Sequence, residues 1–190
     1  RACQEKEFDH IFHLKNHPER FGRCINRITS KDLEDYFIFS VVRNPWDRMV
    51  SVSSYFDLDF KAYIKEIDRY WEDQNIKIHS LPITTYTHNN GTPFVEFICR
   101  FESLQPDMNL VFDQIGIDRR DLPLVNQSKH KHYAYYYTDF EREKVDHIYR
   151  EDIKFYGYSF HSDHPPNQPR TSLPAADLFS KVKRKLFQNS

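Results

Sequence analysis

The sequence predicts an α/β protein with a parallel sheet flanked by helices, and three observations carry that reading. Residues 36–42 are almost continuously apolar or aromatic, and they run straight into a helix start at Asn44-Pro45. A second apolar run, 94–101, leads into a helical stretch over about 105–116. Continuous apolar runs of this length suit strands covered on both faces, and parallel strands need long, usually helical, crossovers between them. The length of 190 residues suits one domain with a substantial core.

Composition narrows the class further. With 27 basic and 28 acidic residues the formal net charge is −1, so no bulk electrostatic case exists for binding nucleic acid. The 16 Phe, 12 Tyr and 2 Trp can fill a core or stack on a nucleobase or sugar. Three scattered cysteines (Cys3, Cys24, Cys99) give neither a disulfide framework nor metal-ligand spacing, which favours a reducing compartment. No run reaches the length of a transmembrane helix, and no signal peptide is recognisable.

Taken in order, residues 1–35 are polar and rich in histidine. His10 and His13 share a helical face, but no third ligand accompanies them, and no metal is expected. At the first strand–helix junction Asn44 is a natural N-cap, Pro45 fits the first helical position, and Asp47 completes a capping box. A turn of about 100° per residue puts Trp46, Met49, Val50 and Phe56 on one side and Asp47, Arg48, Ser51 and Tyr55 on the other. Arg43 at the carboxyl end of a strand, with Ser51 two turns into the next helix, suggests an anion site. A solvated Arg and Ser is the equal alternative on geometry alone.

Residues 57–73 read as one helix, with Phe60, Tyr63, Ile64, Ile67 and Trp71 at helical spacing. Residues 74–92 show no period and read as a long loop. In the helix over 105–116, Met108, Val111, Phe112 and Ile115 are expected to face inward. Thr138 with Glu141 forms a second capping box, opening a helix that runs to about Arg150. Residues 161–176 are proline-rich and polar, a linker. Residues 177–187 form a short amphipathic stretch that can touch a membrane surface, although docking on its own domain is favoured.

The segment Val42-Arg43-Asn44-Pro45-Trp46-Asp47-Arg48 with Ser51 resembles the 3'-phosphate-binding motif of sulfotransferases that use 3'-phosphoadenosine-5'-phosphosulfate (PAPS). The match is closest to the carbohydrate branch and its bacterial relatives. Two further landmarks follow in the family's order: Arg100-Phe101-Glu102 before a helix, and Leu122-Pro123 to Asn126-Gln127-Ser128 ahead of Tyr136-Tyr137-Thr138-Asp139. The resemblance implies a P-loop-like fold over residues 1–160, with 161–190 as linker and tail. It gives Arg43 and Ser51 the nucleotide's 3'-phosphate. It also lets Lys129 and Lys131 close over the phosphates, and makes Glu102 structural, fixing Arg100 or a loop.

Relatives often carry a His about two dozen residues before that Arg; His17 lies 26 before Arg43 and is the first candidate base, with His13 the second. A histidine near neutrality suits removal of a proton from an attacking hydroxyl. The implied reaction is sulfuryl transfer from PAPS to a carbohydrate hydroxyl, without metal. A non-catalytic binder of PAP or of a sulfated glycan, and a P-loop-type kinase, are the rivals. The implied location is the bacterial cytoplasm, or the Golgi lumen if an anchor was removed. One family element has no counterpart: no Lys-x-Gly-Gly-Thr-like segment for the 5'-phosphosulfate occurs in these 190 residues. The expectation is that this loop and the first strand precede Arg1; a degenerate member is the alternative.

Overall fold

The computed structural model describes residues 36–89, 91–93, 95–123 and 130–161. His13, His17, Lys129, the Asn126-Gln127-Ser128 segment and the tail beyond residue 161 lie outside the described residues. So does the question of a first strand.

The element order is β1 (Phe39–Val42), α1 (Pro45–Tyr55), α2 (Phe60–Lys65), α3 (Ile67–Tyr70), α4 (Gln74–Ser80) and α5 (Thr84–Thr87). There follow β2 (His88–Asn89), β3 (Thr92–Pro93), β4 (Phe97–Arg100), α6 (Leu104–Ile115), α7 (Asp139–Ile148) and α8 (Arg150–Tyr156). β1 and β4 pair in parallel, Phe39 opposite Phe97 and Val42 opposite Arg100. Five helices and a minimal β2–β3 hairpin form the crossover between them. The parallel pairing and strand–helix alternation agree with the α/β expectation.

Several local expectations need correction. The first strand is four residues long, and it is not covered on both faces: Phe39 and Val41 are 37% and 38% exposed, while Val42 is fully buried. The expected 57–73 helix is two, α2 and α3, interrupted at Glu66. Its apolar stripe still faces the core, where Phe60, Tyr63, Ile64 and Ile67 are buried. Residues 74–92 are not a loop. Asp73 caps α4 by accepting from the Asn75 and Ile76 amides, and the Asp152 carboxylate holds the start of α5 through Ile83 and Thr84. The second cap comes from 69 residues away and is invisible to a local reading.

Val111 and Phe112 of α6 are buried as expected, but Ile115 is 46% exposed. It is the last residue of its helix, and Gly116, in the left-handed region at φ 73°, turns the chain away there. The Thr138–Glu141 capping box is present. Helix α7 stops at Ile148, and α8 follows immediately, ending at Gly157.

The core gathers Val42, Met49, Val50, Tyr63, Ile64, Ile67, Val145 and Tyr149, none more than 1% exposed. At about 25 cal/mol per Å² of apolar surface, each such side chain contributes on the order of 1.5–3 kcal/mol. α1 is the hub, since it packs against α2, α4 and α7. Arg48 was expected on its polar side and is instead 8% exposed. The reason is a second layer: Asp152 of α8 lies 3.6 Å from its Nη2, and the Tyr149 ring lies 5.1 Å from its guanidinium carbon. Among the described residues no helix is long and apolar enough to cross a membrane.

Candidate functional site

At the carboxyl end of β1 the backbone breaks from the sheet at Arg43 and Asn44 and enters α1. Asn44 caps this helix as its sequence predicts, its Oδ1 accepting from the amides of Trp46 (3.0 Å) and Asp47 (3.2 Å). The predicted capping box does not close. The Asn44 amide donates to Glu102 Oε1 at 2.7 Å, and the Asp47 carboxylate turns to Arg43 Nε at 2.6 Å. A charged partner outcompetes a neutral amide for that carboxylate.

Two groups therefore orient Arg43. Asp47 holds the Nε edge, and the Phe101 ring lies 4.3 Å from the guanidinium carbon, within cation–π range. The Arg43 side chain is 19% exposed. Its outer nitrogens donate to no acceptor among the described residues, which leaves the planar fork unclaimed by them. Ser51, half-buried, lies four residues beyond Asp47 and so on the same helical face. Arg43, Asp47 and Ser51 thus form one stripe. The first-turn amides are already spent on Asn44, so an anion here would be held by side chains more than by free helix N–H groups.

Glu102 is structural, as expected, with a partner that sequence did not single out. Its Oε1 fixes the Asn44 amide, and its Oε2 accepts from the Tyr158 hydroxyl at 3.1 Å. Burial, and then the Glu102 charge, push the Tyr158 phenol well above its ordinary pKa, so the phenol stays a donor. Arg100 is not the group Glu102 fixes. It donates from Nη2 to the Tyr156 carbonyl at 2.7 Å and stands over the Tyr158 ring at 5.1 Å. Of two arginines at the carboxyl ends of adjacent parallel strands, Arg100 is anchored through Nη2 with its Nη1 buried and unpartnered, while the outer nitrogens of Arg43 meet no acceptor among the described residues.

Lys131 is exposed, and the carbonyl it carries meets His130 Nδ1 at 2.8 Å. His132 caps the short turn at Tyr133–Tyr136 by accepting from the Ala134 amide. Among the described residues no hydrogen bond or ion pair joins Lys131 to Arg43. Burial pushes the Cys99 thiol up to about 12, aided by the Asp107 charge, which rules out a ready thiolate nucleophile. Burial also lowers the pKa of His88, which sits against the Phe155 ring at 4.3 Å with Nδ1 2.9 Å from Thr87 Oγ1. His88 falls in the stretch that reads as loop from sequence, because its burial depends on Phe155 of α8. Among the described residues no group of three or more His, Cys, Asp or Glu is placed to hold a metal.

Fold and junction together define an α/β protein with an oriented arginine at a strand's carboxyl end, a usual place for an anionic ligand. The chain matches the sulfotransferase family over residues 1–159, and it belongs to that family. It is also similar to an uncharacterized protein of Archaeoglobus fulgidus, 28% identical over 99 residues, covering 48% of this chain and 78% of that protein. No solved structure matches the chain.

Proposed function

We propose that the chain takes PAPS as sulfuryl donor and a carbohydrate hydroxyl as acceptor, with Arg43 and Ser51 holding the nucleotide's 3'-phosphate. The observation that carries this reading is the orientation of Arg43. Its Nε edge is fixed by Asp47 and its face by Phe101, while the outer nitrogens face no competing acceptor among the described residues. A guanidinium held this way loses little rotamer freedom when it forms two parallel hydrogen bonds to a phosphate. Ser51 adds a hydroxyl donor along the same face. Lys131, and Lys129 two residues before it in sequence, supply positive charge for the remaining phosphates.

PAPS supplies the sulfuryl group. The chain supplies position, charge and a base, which is the usual division of labour in group transfer between oxygens. His17 is the proposed base and His13 the second choice, since an imidazole is the side chain whose unperturbed titration suits taking a hydroxyl's proton near neutral pH. The test is transfer of radiolabelled sulfate from PAPS to a panel of polysaccharides. Label in the glycan, lost in Arg43→Ala, supports the proposal. PAP binding without label in any glycan would favour a non-catalytic relative instead.

A further inference from the structure

A cleft of about 510 Å³ lies between α3, the segment joining α4 to α5, and the C-terminal half of α7. Its apolar lining includes Trp71, Pro82 and Ile148, and its polar lining is Asp68, Lys144 and His147. The volume falls in the range of about 300–1,000 Å³ typical of small-molecule sites. Trp71 belongs to the helical stripe whose other members are buried, yet it remains only half-buried.

The orientation of that indole decides what the cleft offers. Its Nε1 donates to Ser80 Oγ at 2.7 Å, and Ser80 is fully buried and itself donates to the Ile76 carbonyl. The ring's one polar atom is satisfied inside the fold, so the ring contributes carbon surface to the cleft. Beside it stand a carboxylate acceptor, an ammonium donor and the His147 imidazole, whose Nδ1 accepts from Arg150 Nη2 at 3.3 Å and whose Nε2 is left as a donor. Asp68 and Lys144 are 3.6 Å apart and largely cancel each other's charge.

We infer that this cleft binds a neutral pyranose of an oligosaccharide, with the sugar's C–H face on Trp71 and its hydroxyls on Asp68, Lys144 and His147. A pyranose combines one apolar face with a hydroxyl-bearing edge, and the lining offers the same combination. A purely apolar occupant would strand the three polar groups. On the lining itself the Lys144 charge is matched by Asp68, so a polyanion finds no excess positive charge among the lining residues. The cleft is tied to the junction at Arg43 through α7, whose Asp146 accepts from Trp46 Nε1 at 2.9 Å in the first turn of α1. Only the sugar's role as sulfate acceptor rests on the proposed function; the binding itself needs no nucleotide.

The test titrates the full chain with maltohexaose, cellohexaose, chitohexaose and a heparin hexasaccharide, following tryptophan fluorescence and heat, with PAP titrated in parallel. Trp46 is 2% exposed, so a saturable change in emission reports Trp71. At least one neutral hexasaccharide is expected to bind. Trp71→Leu should weaken it tenfold or more, Trp71→Tyr should retain most of the affinity, and His147→Ala should cost several-fold, all with PAP affinity unchanged. The inference is overturned if no neutral saccharide binds a chain that still binds PAP. It is equally overturned if Trp71→Leu binds as well as the parent, or if only a heparin hexasaccharide binds. Saccharide binding through Trp71 without PAP binding would sustain the cleft and sink the donor assignment.

Discussion

Arg43 acts through its environment as much as its charge. Asp47 and Phe101 hold the guanidinium in place, which favours a planar, bidentate contact over a point charge. Arg43→Lys keeps the charge but loses the fork and the stacking, so PAP affinity should fall at least several-fold, read by calorimetry. Retained affinity would show that charge alone suffices. At Glu141, burial alone would raise the carboxyl's pKa, but hydrogen bonds from Lys61 and Thr138 hold it down at about 2, against an ordinary 4.5. A depressed carboxylate stabilises the fold above its unfolded pKa and loses that contribution as pH falls through the folded one. Stability should therefore drop between about pH 4.5 and 2. With Lys61 half-exposed, the contribution is on the order of 2 kcal/mol, and Glu141→Gln should flatten that part of the stability–pH curve.

Among the elements, α1 was the most legible in sequence, because its cap is local. Asn44, Pro45 and the Trp46-Met49-Val50 face follow from spacing alone, and all three took their expected places. Asn44→Ala should cost about 0.5–2 kcal/mol in urea unfolding. What the sequence concealed were the partners supplied from a distance. Glu102 reaches the Asn44 amide across 58 residues, and Asp152 caps α5 across 69. For that reason residues 74–92 read as loop and Arg48 as part of the polar side of α1. Asp152, 1% exposed, also accepts from Thr84 Oγ1 at 2.8 Å and faces Arg48. Asp152→Ala leaves that cation buried without its partner and should cost about 3–5 kcal/mol, unfolding α5 first by hydrogen exchange. A loss below 1 kcal/mol would mean that water replaces the carboxylate.

At the scale of the molecule, β1 and β4 run parallel, each leading toward an arginine at its carboxyl end, and the two arginines have different fates. Arg100 is held by the Tyr156 carbonyl and the Tyr158 ring, whereas the outer nitrogens of Arg43 meet no acceptor among the described residues. The order of strand, arginine and helix was legible because it is written in contiguous residues. The division of labour between the arginines was not, since it depends on how α8 returns against β4. The β1–α1 junction is proposed to read the 3'-phosphate of PAPS. Calorimetric titration of the chain with PAP, ADP and ATP, repeated on Arg43→Ala, tests it most directly. PAP should bind more tightly than either competitor, and Arg43→Ala should remove about 2–5 kcal/mol of that binding. Equal affinity for PAP, ADP and ATP, or an Arg43→Ala chain that binds PAP unchanged, would contradict it.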